Sequence, residues 1–196
     1  MIRKLSIACA IAAAVSLGAA SASAQAVSQK PYTKADLKDW SGDQSTLAHM
    51  IQRIESTTGG RVIEIRFTSS DGAPGFRTVL AKGGKVTFIH AAAQNGQTVE
   101  MSTSTVPDWM LKWRARADVG QALQATIPLT QAIRTAEQQG EGPAVAAGIA
   151  SSAANATSDV QAYNVLIYRD GDVRRVSVDI RSGQIIQNPR ALADWP

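Results

Sequence analysis

Cysteine is nearly missing from this sequence: Cys9 is the only one in 196 residues, and it sits inside an apolar N-terminal run. With that run removed on export, the chain has no thiol, which excludes a disulfide, a cysteine metal ligand and a cysteine nucleophile. Histidine is almost as scarce. His49 and His90 fall on different elements with no third ligand at metal spacing, so neither a metal nor a cofactor is expected. No Gly-x-Ser-x-Gly elbow and no His-Glu-x-x-His occurs. The carboxylates do not pair on a shared face. Asp170 and Asp172 flank Gly171 as turn residues, and Asp179 shares a strand face with Arg175 and Arg181, where an ion pair accounts for it. Gly59-Gly60 and Gly83-Gly84 lack the strand, loop and helix order of a phosphate cradle. The chain therefore reads as non-catalytic.

Charge is also sparse. Charged residues make up 18% of the chain, and its net charge is +4. No basic run exceeds two residues, whereas a nucleic-acid binder gathers its charge into one patch, so nucleic acid is not an expected partner. The first 24 residues have a different character. Arg3 and Lys4 precede an apolar run from Leu5 to Ala20, and Ala22-Ser23-Ala24 follows. That order is a secretory signal. The run falls short of the roughly 20 apolar residues a spanning helix needs, and no later stretch is long or apolar enough to span. Cleavage after Ala24, with Ala26 as the near alternative, leaves 172 residues (196 − 24) and a charge of +2 (4 − 2, from Arg3 and Lys4). The expected location is the periplasm or the exterior, with no stable membrane insertion after cleavage.

What is present is a repeat. Phe76 to Val99 aligns with Tyr163 to Ile186 at an offset of 87, matching Gly84 with Gly171, Gly96 with Gly183, and Val86 with Val173. In the second copy Val176, Val178 and Ile180 alternate with Arg175, Ser177, Asp179 and Arg181, the period of a half-buried strand. Asp170-Gly171 is a hairpin turn. It places Val165 opposite Val176, Tyr163 opposite Val178 and Ile167 opposite Arg174. Gly83-Gly84 makes the matching turn. Earlier strands run through Ile63, Ile65 and Phe67, and through Val145, Ala147 and Ile149, at an offset of 82 (145 − 63). The second copy thus carries five extra residues, placed in Ser151 to Ser158 (87 − 82). Each copy opens with a helix. The first has an apolar stripe of Leu47, Met50, Ile51 and Ile54, ended by Gly59-Gly60. The second starts at Pro128, faces Leu129, Ala132, Ile133 and Ala136 inward, and ends at Gly140 to Gly142.

The expected fold is α+β: two tandem modules, each a helix packed on a three-stranded antiparallel sheet. The boundaries are residues 1–24 for the signal, 25–42 for an extension, 43–103 and 127–196 for the modules, and 104–126 for a connecting helix. A module of about 55 to 60 residues is marginal alone, so the two should pack together. Val79, Val86 and Phe88 point away from the helix side and need cover from the second module or from a partner. In the connector, Trp109, Trp113 and Ala117 share a helix face beside Lys112, Arg114 and Arg116. Tryptophan and arginine are typical interface anchors, and internal packing is the competing use. The candidate protein-binding residues are Trp109, Trp113, Arg114, Arg116, Val79 and Phe88. Trp40 and Trp195 sit in similar Asp-Trp settings near either end of the mature chain.

The second copy resembles a PepSY domain. The resemblance lies in the helix Leu129 to Glu137, the strand Tyr163-Asn-Val165-Leu-Ile167, the turn at Gly171, and Val176-Ser-Val178-Asp179-Ile-Arg-Ser182-Gly183. Ser182 stands where that family favours Thr. The first copy is more degenerate, with Ala92 at the Asp position and Asn95-Gly96 as the turn. The resemblance spans residues 127–187 well and 43–100 weakly. It implies a non-catalytic envelope module that binds another protein, with inhibition or regulation of a peptidase as one form of that binding. No peptidase domain follows in this sequence, so such action would be in trans. The alternative is a small-molecule or envelope-ligand module using a groove between two similar sheets.

Overall fold

A computed structural model describes residues 47–70, 73–94, 97–107, 110–111, 113–149 and 161–187. Residues 1–24, read as an export signal, Trp40, Trp109, Trp195 and the 151–158 stretch read as holding the five extra residues lie outside them. Three helices and seven strands are described: α1 (Leu47–Thr58), β1 (Arg61–Ser70), β2 (Ala73–Lys82), β3 (Lys85–Gln94), β4 (Gln97–Pro107), α2 (Trp113–Gln124), α3 (Leu129–Gly140), β5 (Ala144–Ile149), β6 (Ala162–Arg169) and β7 (Asp172–Asp179).

The strands form one antiparallel sheet in the order β4-β3-β2-β1-β5-β6-β7. β1 pairs with β5 through Ile65 and Ala147, so the two repeats share a sheet, each supplying half. α1 packs on α3 above that seam. The expected three-stranded modules differ from this in two ways. The halves join edge to edge, because strands buried on both faces, such as β5, are stable only inside a larger sheet. The first half also has a fourth strand, since β3 continues past Ala92 and the chain returns along it from Gln94↔Gln97 to Lys85↔Pro107. In the second half Asp179 stops the strand. Its carboxylate accepts the N–H groups of Arg181 and Ser182 and the Ser182 hydroxyl. Gly183, at φ +73°, completes the turn. A single bridge, Val178↔Ile185, stands where a fourth strand would begin.

The repeat persists in detail. Glu55 accepts the N–H of Val62, and Glu137 accepts that of Ala144, at 2.9 and 3.0 Å. Both pairs are 82 positions apart (137 − 55; 144 − 62). Each bond anchors a bulge, between Val62 and Glu64 and between Ala144 and Ala146. The bulges take Ile63 and Val145 out of the regular alternation. Ile65 and Phe67 therefore share a face without Ile63, and Ala147 and Ile149 share one without Val145. Both helices end in a left-handed residue, Gly59 at φ +65° and Glu141 at φ +52°. The hairpin turns at Gly83-Gly84 and Asp170-Gly171 have positive φ at both central residues, as a type I′ turn requires.

Residues directly opposite in the ladders share a face. One face carries Ile65, Phe67, Phe76, Leu80, Ala147, Tyr163, Val165 and Val178. Leu47, Ile51, Leu129, Ala132, Ile133 and Ala136 of α1 and α3 close it, all at most 2% exposed. Phe67 meets Phe76 edge to face at 5.5 Å. Burying each large aliphatic side chain contributes about 1.5–3 kcal/mol, so this layer supplies much of the driving force. The other face carries Val79, Ala81 and Val86, also buried, and α2 brings Val119 and Ala122 into the same core. The expected cover for that face is the second module or a partner; at Ala81 it is the connector that supplies it, through Val119 and Leu123. Arg61 ties α2 down: its guanidinium donates to the carbonyls of Leu123, Ala125 and Ile127, satisfying acceptors that a helix end leaves free.

Candidate functional site

The covering layers stop short of one edge. β4 is the outer strand, eleven residues long, and among the described residues nothing pairs with its outer side. Thr103, Ser104 and Thr105 are exposed. An open edge is a row of unpaired N–H and C=O groups, which proteins usually guard with charge, proline or a cover. The two edges of this sheet are guarded differently. β7 carries Asp172, Arg174, Arg175 and Asp179 among eight residues, and the bridge at Ile185 covers part of it. β4 carries one charge, Glu100, and a proline only at its last position.

Beside this edge the α1/α3 layer leaves β3 and β4 uncovered. An open groove of about 480 Å³ lies there, lined by Thr58, Leu80, Thr87, Ile89, Thr103 and Thr105, with Lys82 and Lys85 at one end. Thr87 and Thr105 hydrogen-bond across the strands at 2.9 Å. A second groove of about 360 Å³ lies on the far side of the same hairpin, where Arg61, Ala81, Val119 and Leu123 meet the two lysines. The hairpin tip is thus flanked by cations. Arg61 and Lys82 are held in place by helix-end carbonyls, Lys82 donating to Thr58 O at 2.5 Å. Among the described residues, no carboxylate lines either groove.

The sequence candidates fall elsewhere. Val79 is 7% exposed and belongs to the core. Phe88, directly opposite it, is half-buried, with the Arg77 guanidinium 5.6 Å above its ring, within cation–π range. Trp109 lies outside the described residues. Trp113, Arg114 and Arg116 lie in the first turns of α2, and their side chains are not described. The structure therefore brings Val79 and Phe88 together on the α2 side of the sheet, opposite the groove on β3 and β4. The strand-edge site was missed because Ser and Thr alternating with few apolar residues give β4 a weak period-two signal. The cue available in the sequence was Asn95-Gly96, a turn-type pair, followed by the Ser/Thr-rich stretch Ser102 to Thr105.

Among the described residues no group of three or more His, Cys, Asp or Glu side chains could hold a metal. His90 faces Arg77 across the ladder; partial burial, and then the Arg77 charge, lower its pKa. Asn164 is fully buried on the strand beside β7, where its Oδ1 accepts the Ser177 hydroxyl and its Nδ2 has no partner among the described residues. Because the repeats share one sheet, no groove between two sheets is formed. No described helix is long and apolar enough to cross a membrane.

No protein-family model matches the chain, and no curated protein matches it. One solved structure is similar, that of a "putative lipoprotein" from Clostridium difficile 630. It is 14% identical, with a TM-score of 0.40, over 74% of this chain and 92% of that one.

Proposed function

We propose that this is a non-catalytic exported protein that binds another envelope protein by taking an extended segment of it alongside β4. The observation that carries the reading is the eleven-residue edge strand, with whose outer side no described residue pairs, since an added strand draws affinity from main-chain hydrogen bonds and specificity from alternate side chains. Each half of the sheet is read as a PepSY-like module, the two fused through β1 and β5. A peptidase is the partner class that this resemblance implies, acted on in trans. The N-terminal signal places the encounter in the periplasm or outside the cell.

Placing a photocrosslinking residue at Ser104, with a control at exposed Arg134 on α3, tests this in the producing cell's own envelope. The expected result is a discrete adduct from position 104 and none from 134. A partner identified as a peptidase should also lose activity when the purified mature protein is added. No adduct at 104, or the same adducts from both positions, would remove the reading.

A further inference from the structure

We infer that the segment received by β4 is acidic, and that its carboxylate seats against Lys82 and Lys85 at the hairpin end of the sheet. This rests on the strand-capture reading above and names the chemistry of the partner. Lys82 and Lys85 stand directly opposite each other across Gly83-Gly84, a like-charge pairing that destabilises a hairpin. Among the described residues, neither groove beside the hairpin contains a carboxylate to neutralise them. Lys82 is already fixed to Thr58 O. The Lys85 ammonium is exposed and makes no hydrogen bond or ion pair with a described residue. It is the cation left to a ligand.

The register supplies the position. Lys85 pairs with Pro107, the last residue of β4. A strand added outside β4 lies two strand spacings, roughly 10 Å, from β3. A lysine and a glutamate side chain close that gap from either side. Every pairing in the sheet is antiparallel, and an added strand of the same sense has its N-terminal residues beside Pro107. The acidic residue therefore belongs near the start of the captured segment. Next to it, side chains on the groove face meet Thr103 and Thr105 of β4, with Thr87 and Ile89 of β3 one strand further in, which suits β-branched residues.

The test is anisotropy of a labelled peptide of roughly ten residues, the length of a long strand. It alternates Val and Thr, with Glu near its N-terminus, and is compared with a matched Gln peptide. Both are titrated with the mature protein, K85E and S104K, each checked for folding by circular dichroism. The Glu peptide should bind about two- to fivefold tighter than the Gln peptide at low salt, the range of an exposed ion pair, with the gap closing as salt screens it. K85E should reverse the order, and S104K should weaken both peptides. Equal binding of the two peptides, with S104K still weakening both, would overturn the acidic preference and leave strand capture standing. If neither peptide binds, strand capture falls with it. Sedimentation supplies the remaining outcome: a dimer that S104K splits would assign the edge to a second copy of this chain and overturn the inference.

Discussion

Gly60 and Gly142 occupy the same place in the two repeats (142 − 60 = 82), and the structure predicts that alanine is tolerated very differently at each. Neither has a positive φ, so the difference is one of space. A Cβ on Gly60 would lie 2.7 Å from Leu80 Cδ2 and 3.1 Å from Ala81 O. The Leu80 side chain can rotate to relieve most of that. A Cβ on Gly142 would lie 2.3 Å from Tyr168 O and 3.1 Å from Ile167 Cγ2. Here the obstacle is backbone, held in place by the bond from Tyr168 N to Pro143 O at 2.9 Å, and Ile167 is fully buried. Overpacking costs roughly 1–3 kcal/mol, which puts Gly60→Ala near the low end and Gly142→Ala at or above the high end. Urea unfolding of the mature protein, followed by tryptophan fluorescence, separates them. With a slope of about 2 kcal/mol per molar, the midpoint falls by about 0.5 M for Gly60→Ala and about 1.5 M for Gly142→Ala. Equal shifts, or the larger shift at Gly60, would refute the claim that the second repeat's strand is pressed against the post-helix glycine by its backbone.

Three further perturbations follow from individual bonds that anchor the strands and helices. Burial raises the Glu137 pKa, against the opposing effects of the Ala144 N–H and the Arg134 charge. Its contribution is therefore full below the ordinary glutamate pKa and lost as pH rises through the folded value, so Glu137→Gln should gain in Tm on the wild type as pH increases; a constant difference would contradict this. At Asp179 burial pushes the pKa up, but the Ser182 N–H and hydroxyl, the Arg181 N–H and the Arg181 charge outweigh it and leave the pKa lowered. Its contribution is present above the ordinary aspartate pKa and fades as pH falls through the folded value, so Asp179→Ala should lose about 1 kcal/mol at neutral pH and show a shallower acid limb. Arg61→Ala removes the donor to the carbonyls of Leu123 and Ala125 and one of two donors to that of Ile127, which keeps the Tyr163 hydroxyl, and should lose about 2 kcal/mol in chemical unfolding, with Arg61→Lys restoring only part because it lacks the planar fork.

The sequence makes the helices legible because their apolar residues recur at three and four positions. Leu47, Met50 and Ile51, and Leu129, Ala132, Ile133 and Ala136, are all buried. The second hairpin is legible for the same reason at period two: Val165↔Val176, Tyr163↔Val178 and Ile167↔Arg174 pair as the turn demands. The bulges are not legible, because a glutamate seven residues before a strand looks like any solvated carboxylate until Glu55 and Glu137 are seen accepting backbone N–H groups. Joining of the halves is hidden too. β5 is mostly alanine with one glycine, a composition with no strong strand preference, and only its burial on both faces shows that it is central. The candidate site was out of reach because an open edge is defined by what fails to pair with it, and Val79, chosen for its apolar outward position, is only 7% exposed and belongs to the core.

The central claim is that β4 is the edge that takes up a partner, and amide hydrogen exchange of the mature protein with and without the acidic peptide tests it most directly. Slower exchange within Gln97–Pro107, with β7 and the three helices unchanged, is the predicted result. New protection along Asp172–Asp179 or on α1, α2 or α3, with none on β4, would contradict it.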